Sequence, residues 1–347
     1  MRFILILILL PFSIFSQEKD SLKIKVSGFL ETYYAYDFSS PTTDSKLPFM
    51  YNYNRHNEFN VNNGLIRAQL QYGNTYASIA VHAGTYVDDN YASEDIKLVS
   101  EAYVGMYLND NKKSSIEVGI MPSYIGFESA TTATNLTLTR SILAENSPYF
   151  MTGIKYNYKP NDKWSFSGLV TNGWQRINRP DKTVTPALGT QIIYKPSEKA
   201  TLNWSTFIGK EFYGTELAMR YFSNLYWDNT WNSKWRTILG FDFGIQDSSS
   251  MNDEHLFWMS PVFIAQYSIN PKWQTAVRVE YYQDEDNVIV ATSDAFKTSG
   301  ASINFDYLLN SKVKLRTEAR YFDSKEAIFF DTKTNNFFVT TSLSFEF

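Results

Sequence analysis

The chain has 347 residues, with 32 Lys and Arg against 36 Asp and Glu, a net charge of −4, and charged residues at only 20% of the total. Aromatics make up 17% (26 Phe, 24 Tyr, 8 Trp), there is no cysteine, and only three histidines occur, His56, His82 and His255. This excludes a disulfide framework and thiolate metal centres, a basic nucleic-acid surface and an aromatic-poor disordered chain.

Residues 1–16 open with Arg2, run apolar from Phe3 to Phe15 and end on the small residue Ser16. That pattern predicts a cleaved secretory signal peptide, too short to be a membrane-spanning helix. Residues 17–347 then form one domain. No later stretch approaches the ~20 apolar residues that a spanning helix needs.

From there the chain alternates with period 2, as strands do. The spacing predicts strands at 22–37, 58–72, 75–87, 98–108, 114–121, 149–158, 164–171, 188–195, 201–210, 217–229, 235–246, 256–269, 273–283, 297–308, 313–323 and 337–347. The second changes phase near Asn63-Gly64, which predicts a β-bulge. Sixteen strands is the count adopted; fourteen is the alternative. Pro-, Asn-, Asp- and Gly-rich turns follow the even strands, such as Gly73-Asn74 and Lys159-Pro160-Asn161-Asp162-Lys163, which is turn chemistry. Mostly longer loops follow the odd strands.

Short turns alternating with longer loops, on strands apolar on one face only, predict an all-β fold. It is a transmembrane antiparallel up-and-down β-barrel of about 16 strands in a bacterial outer membrane, with short periplasmic turns and longer extracellular loops. Sixteen strands enclose a water-filled lumen. The polar faces put Arg67, Glu101, Lys155, Arg236, Asp242, Arg278, Glu280, Lys314, Arg316, Glu318 and Arg320 on the pore lining, because a charge facing lipid at mid-bilayer costs ~2–4 kcal/mol. The same residues serve equally as ion pairs holding the wall together. His82 falls on the lumen face, while His56 falls in the first loop and His255 in the sixth.

The longest connection, 122–148, has few charges and an unusual apolar content for a solvated loop: Ile125, Phe127, Leu136, Leu138, Ile142 and Leu143. It is the third extracellular loop. We expect it to fold into the lumen, with Glu128, Arg140 and Glu145 forming a constriction; an exterior cap or trimer contact is the alternative.

No nucleophile-elbow, dinucleotide, phosphate-loop or zinc-protease motif is present. We therefore expect no enzymatic activity, no cofactor and no metal. The acidic runs Asp88-Asp89 and Asp284-Glu285-Asp286 are expected to be solvated loop tips; Ca²⁺ binding, or bridging of lipopolysaccharide through divalent cations, is the alternative. The readings that follow are a passive pore for small hydrophilic solutes or ions, a plugged structural barrel whose loops bind a partner, and a membrane-embedded hydrolase. Expected partners are outer-membrane lipid and lipopolysaccharide, the assembly machinery through the C-terminal Phe347, and two further copies in a homotrimer; nucleic acid is not expected.

Several stretches resemble one family. They are Tyr34-Ala35-Tyr36-Asp37-Phe38, His56-Asn57-Glu58-Phe59-Asn60, Gly84-Thr85-Tyr86-Val87, Gly119-Ile120-Met121-Pro122-Ser123-Tyr124-Ile125-Gly126-Phe127-Glu128-Ser129, Ala144-Glu145-Asn146-Ser147-Pro148-Tyr149, Asn172-Gly173-Trp174-Gln175 and Leu202-Asn203-Trp204-Ser205-Thr206. Together they are similar to the putative β-barrel porin-2, OmpL-like outer-membrane proteins of Bacteroidetes-type bacteria. The resemblance covers roughly residues 26–210 and is most specific at 122–129. It implies a porin-like barrel and passive diffusion, and it brings no catalytic or ligand residues.

Overall fold

The computed structural model describes residues 21–39, 41, 47–179, 185–248 and 254–347; the expected signal peptide, 1–16, lies outside them. The strands are β1 (Lys23–Asp37), β2 (Phe59–Tyr72), β3 (Thr75–Ala83), β4 (Val99–Tyr107), β5 (Ser114–Pro122), β6 (Phe150–Tyr158), β7 (Trp164–Thr171), β8 (Ala187–Ser197), β9 (Ala200–Tyr213), β10 (Glu216–Thr230), β11 (Trp235–Ser248), β12 (Glu254–Ser268), β13 (Trp273–Asp284), β14 (Phe296–Leu308), β15 (Val313–Asp323) and β16 (Asn335–Glu346). Each pairs antiparallel with its chain neighbour, and β1 pairs with β16, so the sheet closes. Closure leaves no open sheet edge in lipid, where an unpaired amide or carbonyl has no partner. The count is sixteen, and the predicted alternation of short turns and longer loops follows it.

The two faces separate by physics as well as by pattern. On β16, Phe337, Leu343 and Phe345 point outward and are exposed, while Phe338, Thr340, Ser342 and Ser344 point inward and are buried. On β15 the inward set is Arg316, Glu318, Arg320 and Phe322. Leu239, at mid-strand on β11, is outward and 52% exposed, next to inward Gly240 and ahead of buried Asp242. Leu239→Arg is therefore expected to destabilise the barrel by about 2–4 kcal/mol, the cost of a lipid-facing cation near the midplane. A urea titration in phospholipid vesicles reads this directly. A midpoint equal to that of the parent would mean that Leu239 does not face lipid.

Three expectations change in detail. The third strand ends at Ala83 rather than 87. Gly84 turns the chain at φ 140°, where a Cβ would lie 2.4 Å from the Asn62 carbonyl oxygen. A short helix α1 (Thr85–Asn90) follows and tucks Tyr86 and Val87 against Phe150. The bulge sits at Asn62, where the register steps from Glu31↔Asn63 to Thr32↔Val61. The extra residue turns its amide inward, to Glu31 at 3.2 Å. His255 lies on β12 opposite Asp247, not in a loop, because β11 and β12 extend past the predicted rim.

We label the connections at the long-loop end L1 to L8 in chain order. Those used below are L1 (38–58), L2 (84–98), L3 (123–149), L4 (172–186), L7 (285–295) and L8 (324–334).

Candidate functional site: the lumen constriction

L3 folds into the barrel and crosses it. A 27-residue segment with little secondary structure carries many unpaired backbone groups, and buried ones must be satisfied. The wall supplies their partners. On the near side, the Tyr124 hydroxyl donates to the Thr206 carbonyl at 2.6 Å, and Gln191 and Ser205 donate to the Tyr124 carbonyl at 2.8 and 3.0 Å. The Gly126 amide donates to Asn224 at 3.2 Å. Phe127 packs over Gly240, where a Cβ would come within 2.5 Å of its ring. Leu136 and Leu143 close onto Ile238, Val262 and Ile264.

On the far side the contacts are ionic. Arg316 donates to the carbonyls of Thr132 and Asn135 at 2.9 and 3.1 Å and is held by Asp306 at 2.7 Å. Lys314 donates to the Ala133 carbonyl at 2.6 Å. Arg278 reaches the Thr139 carbonyl at 2.6 Å and Glu318 at 2.7 Å. Arg320 reaches the Arg140 carbonyl at 2.8 Å and Glu280 at 2.6 Å. The carboxylates take the matching amides: Glu318 accepts from Thr139 at 2.6 Å and Glu280 from Ile142 at 2.7 Å. Glu31, across the seam on β1, accepts from Thr132, Tyr53 and Ser342. Arginine suits this task because its planar fork presents five donors to carbonyl and carboxylate together.

The returning arm, with helix α2 (Ile142–Glu145), is tied to L1. Glu145 accepts from the Tyr51 amide and the Tyr149 hydroxyl, both at 2.8 Å, and from Asn52 at 2.9 Å. Glu128 accepts from the Ser141 amide at 3.0 Å and from its hydroxyl. Burial pushes the Glu128 carboxyl above the usual carboxylate range, against the opposing pull of Arg278, Ser141 and Arg140.

Segment 145–149 separates two polar cavities. One, of about 320 Å³, lies between L3 and the β2–β4 wall, with Arg67, His82, Glu101 and Arg140 among its lining. The other, of about 260 Å³, opens toward L2, L4 and L7, with Glu145, Trp174, Arg176 and Glu211 among its lining.

The structure divides the expected pore-lining residues into two groups. Arg278, Glu280, Arg316, Glu318 and Arg320 face inward but have no or almost no exposed surface, and Asp242 is buried against Asn224 at 2.5 Å. L3 lies over the five ionic residues, so they clamp the loop rather than line water; that corrects the expectation for them. Lys314 is half-buried in the same way. Arg67 (paired with Glu101 at 2.5 Å), Lys155 (3.9 Å from Glu117) and Arg236 (2.7 Å from Asp228) keep exposed surface inside the barrel. Glu128, Arg140 and Glu145 all lie inside the lumen, on L3.

Sequence reasoning missed Asp306, Glu211 and Arg220. All three sit in phase with the inward positions of β14, β9 and β10, so the alternation itself carried the signal. It also missed an apolar cluster at the long-loop end. Phe49 of L1 packs at 4.8 Å from Phe296 and 5.7 Å from Phe322, with Phe329 of L8 and Val288 and Val290 of L7 in the same cluster. The acidic runs are engaged in part, while Asp88 and Glu285 stay exposed as expected of loop tips. Asp89 pairs with Arg55 at 2.8 Å, and Asp284 accepts the amides of Val288, Ile289 and Val290. Among the described residues no group of His, Asp and Glu is arranged to hold a metal ion.

A closed 16-stranded barrel with a lipid-facing apolar exterior and an inward loop across a charged lumen defines an outer-membrane porin. The chain belongs to the family described as putative beta-barrel porin-2, OmpL-like, whose model matches residues 23–347. Solved structures share the fold. The outer membrane channel DcaP of Acinetobacter baumannii is 13% identical, with 94% of this chain and 97% of that one covered at a TM-score of 0.66. An anion-selective porin from Comamonas acidovorans is 10% identical (94% and 100% covered, TM-score 0.62). OmpF of Salmonella typhi is 12% identical (93% and 97% covered, TM-score 0.60). No curated protein matches the sequence.

Proposed function

We propose that this porin passes small hydrophilic solutes and ions by passive diffusion, without catalysis, and that L3 sets the constriction. The observation that carries this reading is the pair of polar cavities on either side of segment 145–149, inside a closed barrel. Selectivity then rests on the lumen charges that keep exposed surface, Arg67, Lys155 with Glu117, and Arg176, while the partners Glu101 and Glu211 are buried.

Supporting features extend the reading to assembly. Residues 1–16 act as the cleaved export signal, and 17–347 fold as one barrel domain. The backbone of Phe347 bonds Gly28 at 2.9 and 3.1 Å, so the assembly machinery reads Phe347 before β1 seals it. Strands β3 to β7 are only 8–9 residues long, against 11–15 for β9 to β16. A tilted strand needs ~9–11 residues to cross the bilayer. This low wall presents Ile79, Val81, Val104 and Val118 outward, beside Ile66 of the adjoining β2, which suits burial against other copies in a homotrimer. The rest of the exterior meets lipid and lipopolysaccharide.

The aromatic cluster at the long-loop end favours a second reading, a plugged barrel whose loops bind a partner. Single-channel recording of the full-length export product in a planar bilayer, under a salt gradient, separates them. We expect stable ohmic steps and a reversal potential that gives the ion preference. Silence from a heat-modifiable barrel would favour the plugged reading.

A further inference from the structure

The cavity below segment 145–149 gathers buried polar groups that the fold leaves unpaired. Arg140 is 3% exposed. Its Nη2 donates to the Glu128 carbonyl at 3.2 Å, whereas Nε and Nη1 have no hydrogen-bond partner among the described residues. Glu128 is 8% exposed, and while Oε2 takes both Ser141 donors, Oε1 takes none. Asn63 is 1% exposed and neither end of its amide is engaged. All three side chains line the same cavity of about 320 Å³.

Buried side-chain polar atoms are nearly always satisfied, and each exception calls for a partner. Here three exceptions belong to side chains that line one space, and the unpaired atoms themselves have almost no accessible surface in it, so a solute reaches them as the side chains turn inward. They are complementary to each other: a cationic donor, a carboxylate acceptor and an amide that both donates and accepts. The Arg140 guanidinium sits over the Tyr149 ring, its Cζ 3.8 Å from the centroid, which holds the cation beside the cavity. The Tyr86 and Tyr91 rings complete an aromatic wall. A single mobile ion would satisfy one pole and leave the other. A molecule with both charges satisfies both.

We propose that this cavity is a transient subsite for zwitterionic solutes of amino-acid or dipeptide size, with the carboxylate against Arg140, the ammonium against Glu128 and an amide group against Asn63. The volume stands at the small end of ligand pockets, ~300–1,000 Å³. An arriving ammonium also relieves a carboxyl that burial holds above its usual range. The inference rests on the reading of the protein as a passive porin and names the solute class for it.

The test uses the full-length exported protein in detergent, titrated calorimetrically with glycyl-L-glutamine, and its N-acetylated, C-amidated counterpart as the uncharged control. Saturable binding is expected for the zwitterion and not for the capped peptide. Arg140→Gln should weaken it by about tenfold or more, as loss of a charge-assisted contact does. Asn63→Leu loses no intramolecular hydrogen bond and should weaken it while leaving heat-modifiable migration intact. Absent binding, equal binding of the capped peptide, or binding indifferent to both substitutions would overturn the proposal. Conductance is read separately on the same preparations. Binding without ohmic steps would remove the passive-pore reading and keep the subsite; ohmic steps without binding would do the reverse.

Discussion

Arg278→Ala combined with Arg320→Ala is expected to raise single-channel conductance by about twofold or more, since 16 strands enclose an aqueous channel once nothing fills it. The two arginines are fully buried and tie the L3 carbonyls of Thr139 and Arg140 to Glu318 and Glu280. Removing them strips eight hydrogen bonds, four from each arginine, and leaves two carboxylates inside with no guanidinium beside them. Breaking a buried pair from one side costs about 3–5 kcal/mol, chiefly through the charge left behind. The system recovers most of that cost by letting L3 leave the wall and water enter. The barrel itself stays closed, because its ladder of backbone bonds passes through neither side chain. Limited proteolysis in detergent gives a second readout, with cleavage within 123–149 expected in the variant and not in the parent. Arg278→Lys with Arg320→Lys should fall between, since a lysine keeps the charge and loses the fork. Unchanged conductance with an unchanged digestion pattern would show that the Leu136 cluster and the Tyr124 anchor hold the loop unaided.

Much of this fold was legible because a lipid-facing strand obeys a strict rule. One face must be apolar, so Val313, Leu315, Thr317, Ala319 and Tyr321 separate from Lys314, Arg316, Glu318 and Arg320 without any tertiary information. Turn chemistry such as Gly73-Asn74 then punctuates the strands. What alternation cannot report is whether an inward residue meets water or protein. Lys155 and Arg278 look alike in sequence: each is a cation in phase with its strand's polar face. Only the path of L3 distinguishes them, and that path is set by contacts far apart in the chain, from Tyr124 to Thr206 on one side to Arg278 and Thr139 on the other.

The inward fold of L3 was legible from its apolar residues, since Leu136, Leu138, Ile142 and Leu143 have no reason to sit in solvent. The direction of its arc was not. Nor was the aromatic cluster above it. Phe49 stands in a loop between turn-like residues, and its partners Phe296, Phe322 and Phe329 come from β14, β15 and L8. No periodicity links an isolated loop aromatic to strand residues such as Phe296 and Phe322, far along the chain. The third strand was overrun at Gly84 for a different reason. The sequence Gly84-Thr85-Tyr86-Val87 has good strand formers, and only the close approach of the Asn62 carbonyl forces the turn.

Gly119→Ala is expected to be, with Gly153→Ala, among the most damaging single methyl additions in the wall. Gly119, on β5, holds φ 136°, a conformation that L side chains rarely adopt. A Cβ there would lie 2.1 Å from the Ala102 carbonyl oxygen and 2.8 Å from the Tyr103 Cα, both backbone atoms of β4 that no rotamer change can clear. Backbone strain of this kind costs about 1–3 kcal/mol, and overpacking adds about 1–3 kcal/mol. Gly168 on β7 is the internal control. Nothing lies within 4 Å of its would-be Cβ and its φ is not in the positive range. Gly168→Ala should be neutral or stabilising by about 0.4–1 kcal/mol, because alanine restricts the unfolded chain. Urea titration of both variants in vesicles, with cold gel migration to score closure, tests the contrast. A 119 variant as stable as the 168 variant would mean that β4 and β5 can part at this level without loss. The consequence reaches the constriction, because Gly119 stands three residues before Pro122, where β5 ends and L3 begins. A shift of β5 away from β4 moves the root of the loop, so the same variant should also change the conductance of the molecules that do close.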